Sequence, residues 1–424
     1  MRQFRWAAVA ATVAVLFAAA QVAAQGEAAP VKGEIDAVKE AVAKIVDINA
    51  MVATTYNYGF NRPASDTLNY EVINKANNTF AIYDAFLQFS RNHEDEDFGF
   101  NINMDFGETA KYTGSDWNGN GAVAAPGDNT EEGNAFELRE AYGTYKVPWD
   151  GVKLKAGKFV TLLGYEVLMT NTAFNPNISH SILFGYAIPF THVGVLLDLP
   201  MGELAWADIG IVNGWDNAVD NNNAKTLIAG LGIKPLADLA TFYLAGTYGS
   251  ETNGQAKTCS GIPCPGAGAG AKRGVVTLNG TVTPIEGLSF IVDSVYGNES
   301  NILPDPITGD PNSAAASWYG LVGYVTWAPG FDPVPGFQFA LRAEVFDDVD
   351  GARNPTGTVN PAVIGTPQTV EEVTGTISYV FSPNIVTRLE YRYDHSDKFA
   401  YEKDLADSYS KTANTITAEL ILAF

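Results

Sequence analysis

Four charged residues of alternating sign occupy every second position near the end of the chain. They are Arg388, Glu390, Arg392 and Asp394. Successive side chains of a β-strand point to opposite faces, so this spacing predicts one strand with a charged face and an apolar face. If the strand crossed a bilayer, each charge on the lipid side would cost about 2–4 kcal/mol, so we expect these side chains to point inward. Such a ladder could tie the wall together, or it could create a transverse field that orients solutes.

A second set of titratable residues surrounds a polar stretch, residues 161–180. Lys158 precedes this stretch, Glu166 lies within it and His180 ends it. Charged side chains at a narrow passage set ion selectivity, and carboxylates favour cations. Two interpretations remain open. The stretch could fold inward so that Glu166 and His180 face a passage with Lys158 opposite, or it could be an ordinary outer loop.

Few other residues could catalyse a reaction or hold a cofactor. The chain has four histidines, His93, His180, His192 and His395. None of them lies in a recognised nucleophile or zinc motif. Asp116, Asn118 and Asn120 match the opening of a calcium loop, but its twelfth position is Gly127, where that loop requires glutamate. We therefore expect a protein that is not an enzyme, with no cofactor and no metal beyond this weak calcium candidate.

The first 45 residues differ in pattern from the rest of the chain. Arg2 and Arg5 precede an uncharged apolar run followed by small residues, so residues 1–24 are predicted to be a signal peptide. From residue 25 to residue 45, apolar residues recur at steps of three and four. This period predicts a short amphipathic helix or linker in the periplasm.

Cys259 and Cys264 are the only cysteines in the chain. An exported protein meets oxidising conditions, so we expect a local disulfide between them. Metal binding would require further ligands nearby, and the neighbouring residues supply none.

The composition restricts the classes of partner. The chain has 48 acidic and 26 basic side chains, a formal net charge of −22. Such a chain repels nucleic acid. Only 17% of the residues are charged, and no later stretch has the roughly 18 consecutive apolar residues of a membrane-spanning helix. Any membrane is therefore expected to be crossed by strands.

From residue 46 to residue 424 the hydrophobic period is two, and many runs reach about ten residues, the length that a tilted strand needs to cross a bilayer. We expect about sixteen strands, starting near residues 46, 79, 97, 136, 152, 181, 203, 224, 239, 271, 287, 315, 336, 370, 384 and 411. Tight connections alternate with long polar ones. Because an open sheet edge is not tolerated in lipid, this pattern predicts an all-β fold, a closed transmembrane antiparallel barrel. The terminal strand ends in Phe424, which resembles the signal read by the outer-membrane assembly machinery.

The residues around Lys158 also resemble a known family. Gly157-Lys158-Phe159, Gly164-Tyr165-Glu166 and the run from Pro189 to Val195 are similar to a signature of the OmpL-like family of outer-membrane β-barrel porins. The resemblance is close over residues 157–195 and general elsewhere. In general porins the loop after the fifth strand folds inward. Because residues 161–180 follow the fifth predicted strand, we expect them to form such a constriction.

The resemblance implies a passive pore in the bacterial outer membrane for small hydrophilic solutes and ions, and the acidity of the chain favours cations. The residues expected at the pore or its constriction are Lys158, Glu166, His180, Arg388, Glu390 and Arg392. A barrel hydrolase and a structural or adhesive barrel are the alternatives. Membrane lipid is an expected partner, and assembly into a homo-oligomer is left open.

Overall fold

The alternating segments form one closed antiparallel barrel of sixteen strands in a computed structural model. In chain order the strands are β1 Asp47–Gly59, β2 Thr79–Arg91, β3 Phe98–Phe106, β4 Phe136–Lys146, β5 Lys153–Val160, β6 Thr191–Pro200, β7 Ala205–Val212, β8 Thr226–Ile233, β9 Ala240–Ser250, β10 Lys272–Ile285, β11 Leu288–Leu303, β12 Ala314–Trp327, β13 Gly336–Asp348, β14 Gln368–Ser382, β15 Ile385–Ser396 and β16 Thr412–Ala423. The structure describes residues 46–91, 97–115, 135–149, 151–168, 174–222, 224–236, 239–251, 258–259, 262–263, 271–303, 314–329, 336–353, 366–405 and 408–424.

The first and last strands close the barrel. Residues 51–59 of β1 pair with residues 415–423 of β16 in an antiparallel register. Beyond this register, Phe424 donates its N–H to Ala50 at 2.8 Å and accepts the N–H of Ala50 at 3.2 Å. Every strand therefore has two neighbours, which removes the open edge that lipid would leave without hydrogen-bond partners.

The two faces of the sheet differ in polarity, as the period of two predicts. On β13, Leu341 points outward with 50% of its surface exposed, whereas its neighbour Arg342 points inward and is completely buried. The exposed apolar side chains of the other strands continue the outer band around the barrel. This arrangement is the one that a barrel in a bilayer requires, with apolar groups facing lipid and charged groups inside.

The connections are unequal at the two ends of the barrel, which confirms the predicted alternation. At one end, here called the short-turn end, strands are joined by tight turns such as 201–204, 286–287 and 383–384. At the other end, here called the long-loop end, the connections include 60–78, 107–135, 161–190, 213–225 and 349–367. A six-residue helix, Glu108–Thr113, lies in the connection 107–135. Two further connections at this end, 251–271 and 397–411, contain small hairpins, Thr258–Cys259 with Ile262–Pro263 and Tyr401–Glu402 with Tyr409–Ser410.

The predicted start of the sixth strand near residue 181 is wrong. The strand begins at Thr191, and residues 183–187 form a single π-helical turn instead. Ile182, Phe184 and Ile188 are buried inside the barrel rather than exposed to lipid. A short apolar run has the same hydrophobicity in either position, so its period alone does not distinguish a strand from a buried turn.

Several predictions fall outside the described residues. The signal peptide and the following helix, residues 1–45, are among them, as are the calcium candidates Asp116, Asn118 and Asn120. The predicted disulfide is also outside, because Cys264 is not described. In the described part of the chain, no helix is both long and apolar enough to span a membrane.

The opposite polarity of the two faces predicts that a charge on the outer face costs more in the middle of the membrane than near its edge. Leu341→Arg places a charge on the outer face in the middle of β13, and we expect it to lower the free energy of unfolding by about 2–4 kcal/mol. Ile385→Arg is the matched control, because Ile385 is also on the outer face but begins β15 at the short-turn end, where the cost is about 0–1 kcal/mol. Urea titration in lipid vesicles measures both values. Equal losses would contradict the assignment of the outer face.

Candidate functional site

A cluster of buried charged side chains lies on the inner face of β13, β14 and β15. It is called the charged wall here, and its members are Arg342, Glu344, Glu372, Arg388, Glu390, Arg392 and Asp394. Strand alternation places them on one face, and the register sets Glu372 opposite Asp394. Arg342 pairs with Glu372 at 2.8 Å and Arg392 pairs with Asp394 at 2.8 Å, while Arg388 pairs with Glu419 of β16. These pairs offset the cost of burying the charges.

Two carboxylates of the charged wall bind the backbone of the connection between β5 and β6. Glu390 accepts the N–H groups of residues 178 and 179 at 2.6 and 2.9 Å. Glu344 accepts those of residues 182 and 183 at 2.7 and 3.2 Å. This connection has no ladder partner for these N–H groups, and a buried N–H without a partner is costly, so the carboxylates fix it in place.

The arginines of the charged wall bind the carbonyl groups of the same connection. Arg388, Arg342 and Arg392 donate to the carbonyl oxygens of residues 175, 179 and 180 at 2.8, 2.6 and 3.0 Å. Each arginine thus joins a carboxylate of the barrel to a carbonyl of the connection. Residues 175–183 are therefore attached to the inner face of the barrel through both their donors and their acceptors.

Glu166 joins the same network from the other part of the connection. It is 5% exposed, and its carboxylate accepts hydrogen bonds from Arg342 at 3.1 Å, from the Tyr324 hydroxyl at 3.0 Å and from the N–H of Ser181 at 2.9 Å. The structure therefore brings Glu166 together with the charged wall, in contacts that hold both oxygens of its carboxylate.

His180 lies at the centre of the connection and is also buried. One ring nitrogen is 3.0 Å from the Tyr83 hydroxyl and the other is 2.9 Å from the Asn175 amide. The ring stacks on Phe184 with centroids 4.5 Å apart. Burial lowers the pKa of His180, which favours the neutral ring at physiological pH. In this environment His180 orders the connection as a neutral hydrogen-bonding group.

Lys158 belongs to a different part of the inner face. Its positive-φ neighbour Gly157 interrupts the alternation of β5, and a Cβ at Gly157 would overlap the carbonyl oxygen of Ala141. Lys158 and Phe159 are consequently both buried, although they are adjacent in the strand. Lys158 forms an ion pair with Glu137 of β4, away from the charged wall. An inward lysine at this position follows from the glycine and not from the hydrophobic period.

A second inward loop, residues 60–78 between β1 and β2, was not predicted from the sequence. Val72 of this loop packs on the π-helical turn so closely that a Cβ at Gly185 would overlap its side chain. The rings of Tyr70 and Tyr186 also meet, with centroids 6.1 Å apart. A run of apolar residues inside an otherwise polar loop was the available signal. The loop and the turn together form an apolar core inside the barrel.

The charged wall also contacts this second loop. Arg392 lies 3.7 Å from the carboxylate of Glu71 and donates to the carbonyl of Tyr70 at 3.4 Å. Burial raises the pKa of Glu71 to about 7. Arg392 thus binds the 60–78 loop and, through residue 180, the connection between β5 and β6.

Both ends of the connection between β5 and β6 are held by hydrogen bonds near the start of β6. Asp216, in the loop after β7, accepts the N–H groups of Phe190 and Thr191 at 2.7 and 2.9 Å. Burial raises the pKa of Asp216 to about 7. Thr161, at the start of the connection, donates its N–H to the carbonyl of Phe190 at 2.9 Å. The connection therefore begins and ends at one point on the barrel wall.

The described residues offer few groupings for catalysis or metal binding. The Thr161 hydroxyl lies 3.0 Å from Nε2 of His192, whose Nδ1 is 2.9 Å from the carbonyl of Gly214. His192 is 1% exposed, so the pair serves to clasp the ends of the connection. Within the described ranges, no three His, Cys, Asp or Glu side chains are grouped so that they could hold a metal ion.

The bonds to Glu390 lead to a prediction. Glu390→Gln removes the charge that binds the N–H groups of residues 178 and 179, and bonds to a charged group contribute about 1.5–3 kcal/mol. We therefore expect peptide 174–183 to exchange its amide hydrogens at least about tenfold faster, measured by hydrogen–deuterium exchange and mass spectrometry. The control is Glu371→Gln in the adjacent strand, because Glu371 is 60% exposed. Unchanged exchange in Glu390→Gln would mean that this carboxylate does not hold the connection.

Solved structures of several outer-membrane proteins share the fold. The high-pH structure of Pseudomonas putida OprB has 12% sequence identity and a TM-score of 0.55, covering 92% of this chain and 96% of that chain. The outer membrane channel DcaP of Acinetobacter baumannii has 14% identity and a TM-score of 0.51, covering 89% and 97%. The trimer form of Vibrio cholerae OmpT has 11% identity and a TM-score of 0.51, covering 89% and 99%. At these identities the likeness shows the fold alone.

A search of curated protein sequences finds no match to this chain. A family model does match, and its description is "Putative beta-barrel porin-2, OmpL-like". The match extends over residues 45–424, which includes every strand of the barrel. It confirms the resemblance first seen at residues 157–195. The chain therefore belongs to the OmpL-like β-barrel porin-2 family and is a protein of the bacterial outer membrane.

Proposed function

We propose that this protein is a porin through which small hydrophilic solutes and ions diffuse passively, with no catalytic step. The observation that carries the proposal is the polarity of the inner face of a closed barrel in a porin family. A barrel of sixteen strands is wide enough to leave an aqueous channel between its walls. Charged and hydrogen-bonding groups on the inner face lower the cost of moving a hydrated solute past them.

Residues 161–180 act as an inward-folded constriction in this proposal. The bonds from residues 175–183 to the charged wall support it, because they attach the segment inside the barrel rather than above it. The apolar contact between Val72 and Gly185 adds the 60–78 loop to the same constriction. The shape of the passage is then set by Glu166, His180, Arg388, Glu390 and Arg392. Lys158 contributes a charge on a different part of the inner face.

The passage prefers cations in this proposal. Among the described residues, buried acidic side chains outnumber buried basic ones by about two to one, and the chain as a whole carries −22. An acidic interior concentrates cations and repels anions. Carboxylates whose charge is not consumed by an ion pair or by backbone N–H groups contribute most to this preference.

The proposed orientation and partners follow from the barrel. The short-turn end faces the periplasm, as short turns do in outer-membrane barrels, and the outer band contacts lipid. The terminal strand, ending in Phe424, is the segment that the assembly machinery would recognise. The similar fold of Vibrio cholerae OmpT has been solved in a trimer form, which supports a homo-oligomer here.

The proposal predicts ion conductance by the purified protein in planar bilayers. In a KCl gradient the reversal potential should indicate a K⁺ permeability above that of Cl⁻, because the interior is acidic. Glu166→Gln should lower this preference only slightly, because Arg342 and the N–H of Ser181 already offset the charge of Glu166. A reversal potential that does not respond would mean that the field of Glu166 does not reach the passage. The absence of conductance in correctly folded protein would favour a hydrolase or an adhesive barrel instead.

The contact between the two inward loops predicts a change in channel size. In Gly185→Ala the added methyl group would overlap Val72 and push the 60–78 loop away from the turn. We expect a larger and noisier single-channel conductance, recorded in symmetric KCl. Gly375→Ala is the matched control, because a Cβ at Gly375 meets nothing within 4 Å. Identical conductance in both variants would contradict a constriction built from the two loops.

A further inference from the structure

Two aromatic side chains lie on the inner face of the barrel near the short-turn end. Trp206 of β7 covers Gly232 of β8, and Tyr243 of β9 reaches across to Gly230, so that a Cβ at either glycine would overlap a ring. The rings are within 14° of parallel, with centroids 5.9 Å apart. The indole ring of Trp206 and the hydroxyl end of Tyr243 therefore cover the two glycines of β8, and both side chains are only partly buried.

Charged groups border these rings. The Tyr243 hydroxyl donates to Asp208 at 2.7 Å, which fixes the ring, and Asp198 stands directly opposite Asp208 in the register of β6 and β7. Lys153 stands opposite Asp198 on the other side. Within the described residues, the indole N–H of Trp206 has no hydrogen-bond partner and is available to a ligand.

We propose that Trp206, Tyr243, Asp198, Asp208 and Lys153 form a binding subsite for a neutral pyranose sugar. The weakly positive C–H groups on the flat face of a pyranose are attracted to the negative face of an aromatic ring. Carboxylate oxygens accept hydrogen bonds from the sugar hydroxyls, and the lysine and indole N–H groups donate to them. A few placed polar groups beside an apolar platform are the usual composition of a small-molecule site.

The charges at this subsite argue against an organic cation as its ligand. Lys153 and Lys155 are close in the strand register to Asp198 and Asp208, so groups of both signs stand beside the two aromatic side chains. Lys155 also covers the face of Tyr142, with its Nζ 5.2 Å from the ring centroid. That aromatic ring is therefore already occupied by a cation of the protein itself. The hydroxyl groups of a neutral polyhydroxylated molecule can donate hydrogen bonds to the carboxylates and accept them from the lysines, and the molecule adds no net charge.

The subsite rests on the proposed channel, because a solute must reach the inner face. The test is therefore the ion current of the whole protein in planar bilayers, with glucose or maltose added to the side of the short turns. We expect a concentration-dependent reduction of the current by sugar. Trp206→Ala should weaken the apparent affinity at least about tenfold, and Trp206→Phe, which keeps a ring over Gly232, should weaken it less.

Trp327→Ala is the matched control. Trp327 also lies at the short-turn end, but on the outer face, where it is 47% exposed, and its loss should leave sugar affinity within about twofold. Quenching or enhancement of tryptophan fluorescence by sugar gives a second readout that does not depend on conductance. A conducting wild-type channel that sugar neither blocks nor perturbs would overturn the subsite while leaving the porin intact. Stronger block by choline than by glucose would overturn the sugar as the ligand class.

Discussion

The interior of a bilayer contains no water that could bond a backbone N–H or C=O group, and the rest of this structure depends on that constraint. It requires the sheet to close, so the first and last strands must pair with each other. Residues 51–59 have to match residues 415–423 across a separation of nearly the whole chain. The final residue, Phe424, is itself part of the ladder through its two bonds to Ala50. β16 and Phe424 therefore complete the sheet that β1 begins.

Buried backbone groups also need partners inside the barrel, where the connection between β5 and β6 has no ladder to satisfy its N–H and C=O groups. Glu344 and Glu390 each accept two neighbouring N–H groups, and Arg342, Arg388 and Arg392 donate to its carbonyl groups. The charged wall thus replaces the ladder that an irregular segment lacks. Because each arginine also pairs with a carboxylate, the ladder of mixed sign along β15 ties the wall to the segment.

Local periodicity was enough to predict the strands but not the interior. Every predicted strand start except the sixth lies within two residues of the observed one, since alternation against lipid is read directly from neighbouring residues. The predicted start of the sixth strand was wrong because Ile182, Phe184 and Ile188 do not face lipid. They are apolar because they are buried against the 60–78 loop and the inner face of the barrel. Inward placement of Arg388, Glu390 and Arg392 was predictable from the cost of a charge in lipid. Their partners in the connection between β5 and β6, which are 212 to 213 residues away along the chain, were not predictable.

The use of carboxylates as backbone acceptors has a consequence for ion preference. The negative charge of Glu344 and Glu390 is directed at pairs of N–H groups, so it is already opposed by the partial positive charges of those groups. An excess of acidic residues inside the barrel therefore overstates the field that a passing ion would meet. Asp198 and Asp208 are not used in this way, but Lys153 and Lys155 lie beside them in the register. A modest preference for cations, rather than strict exclusion of anions, is what such an interior should produce.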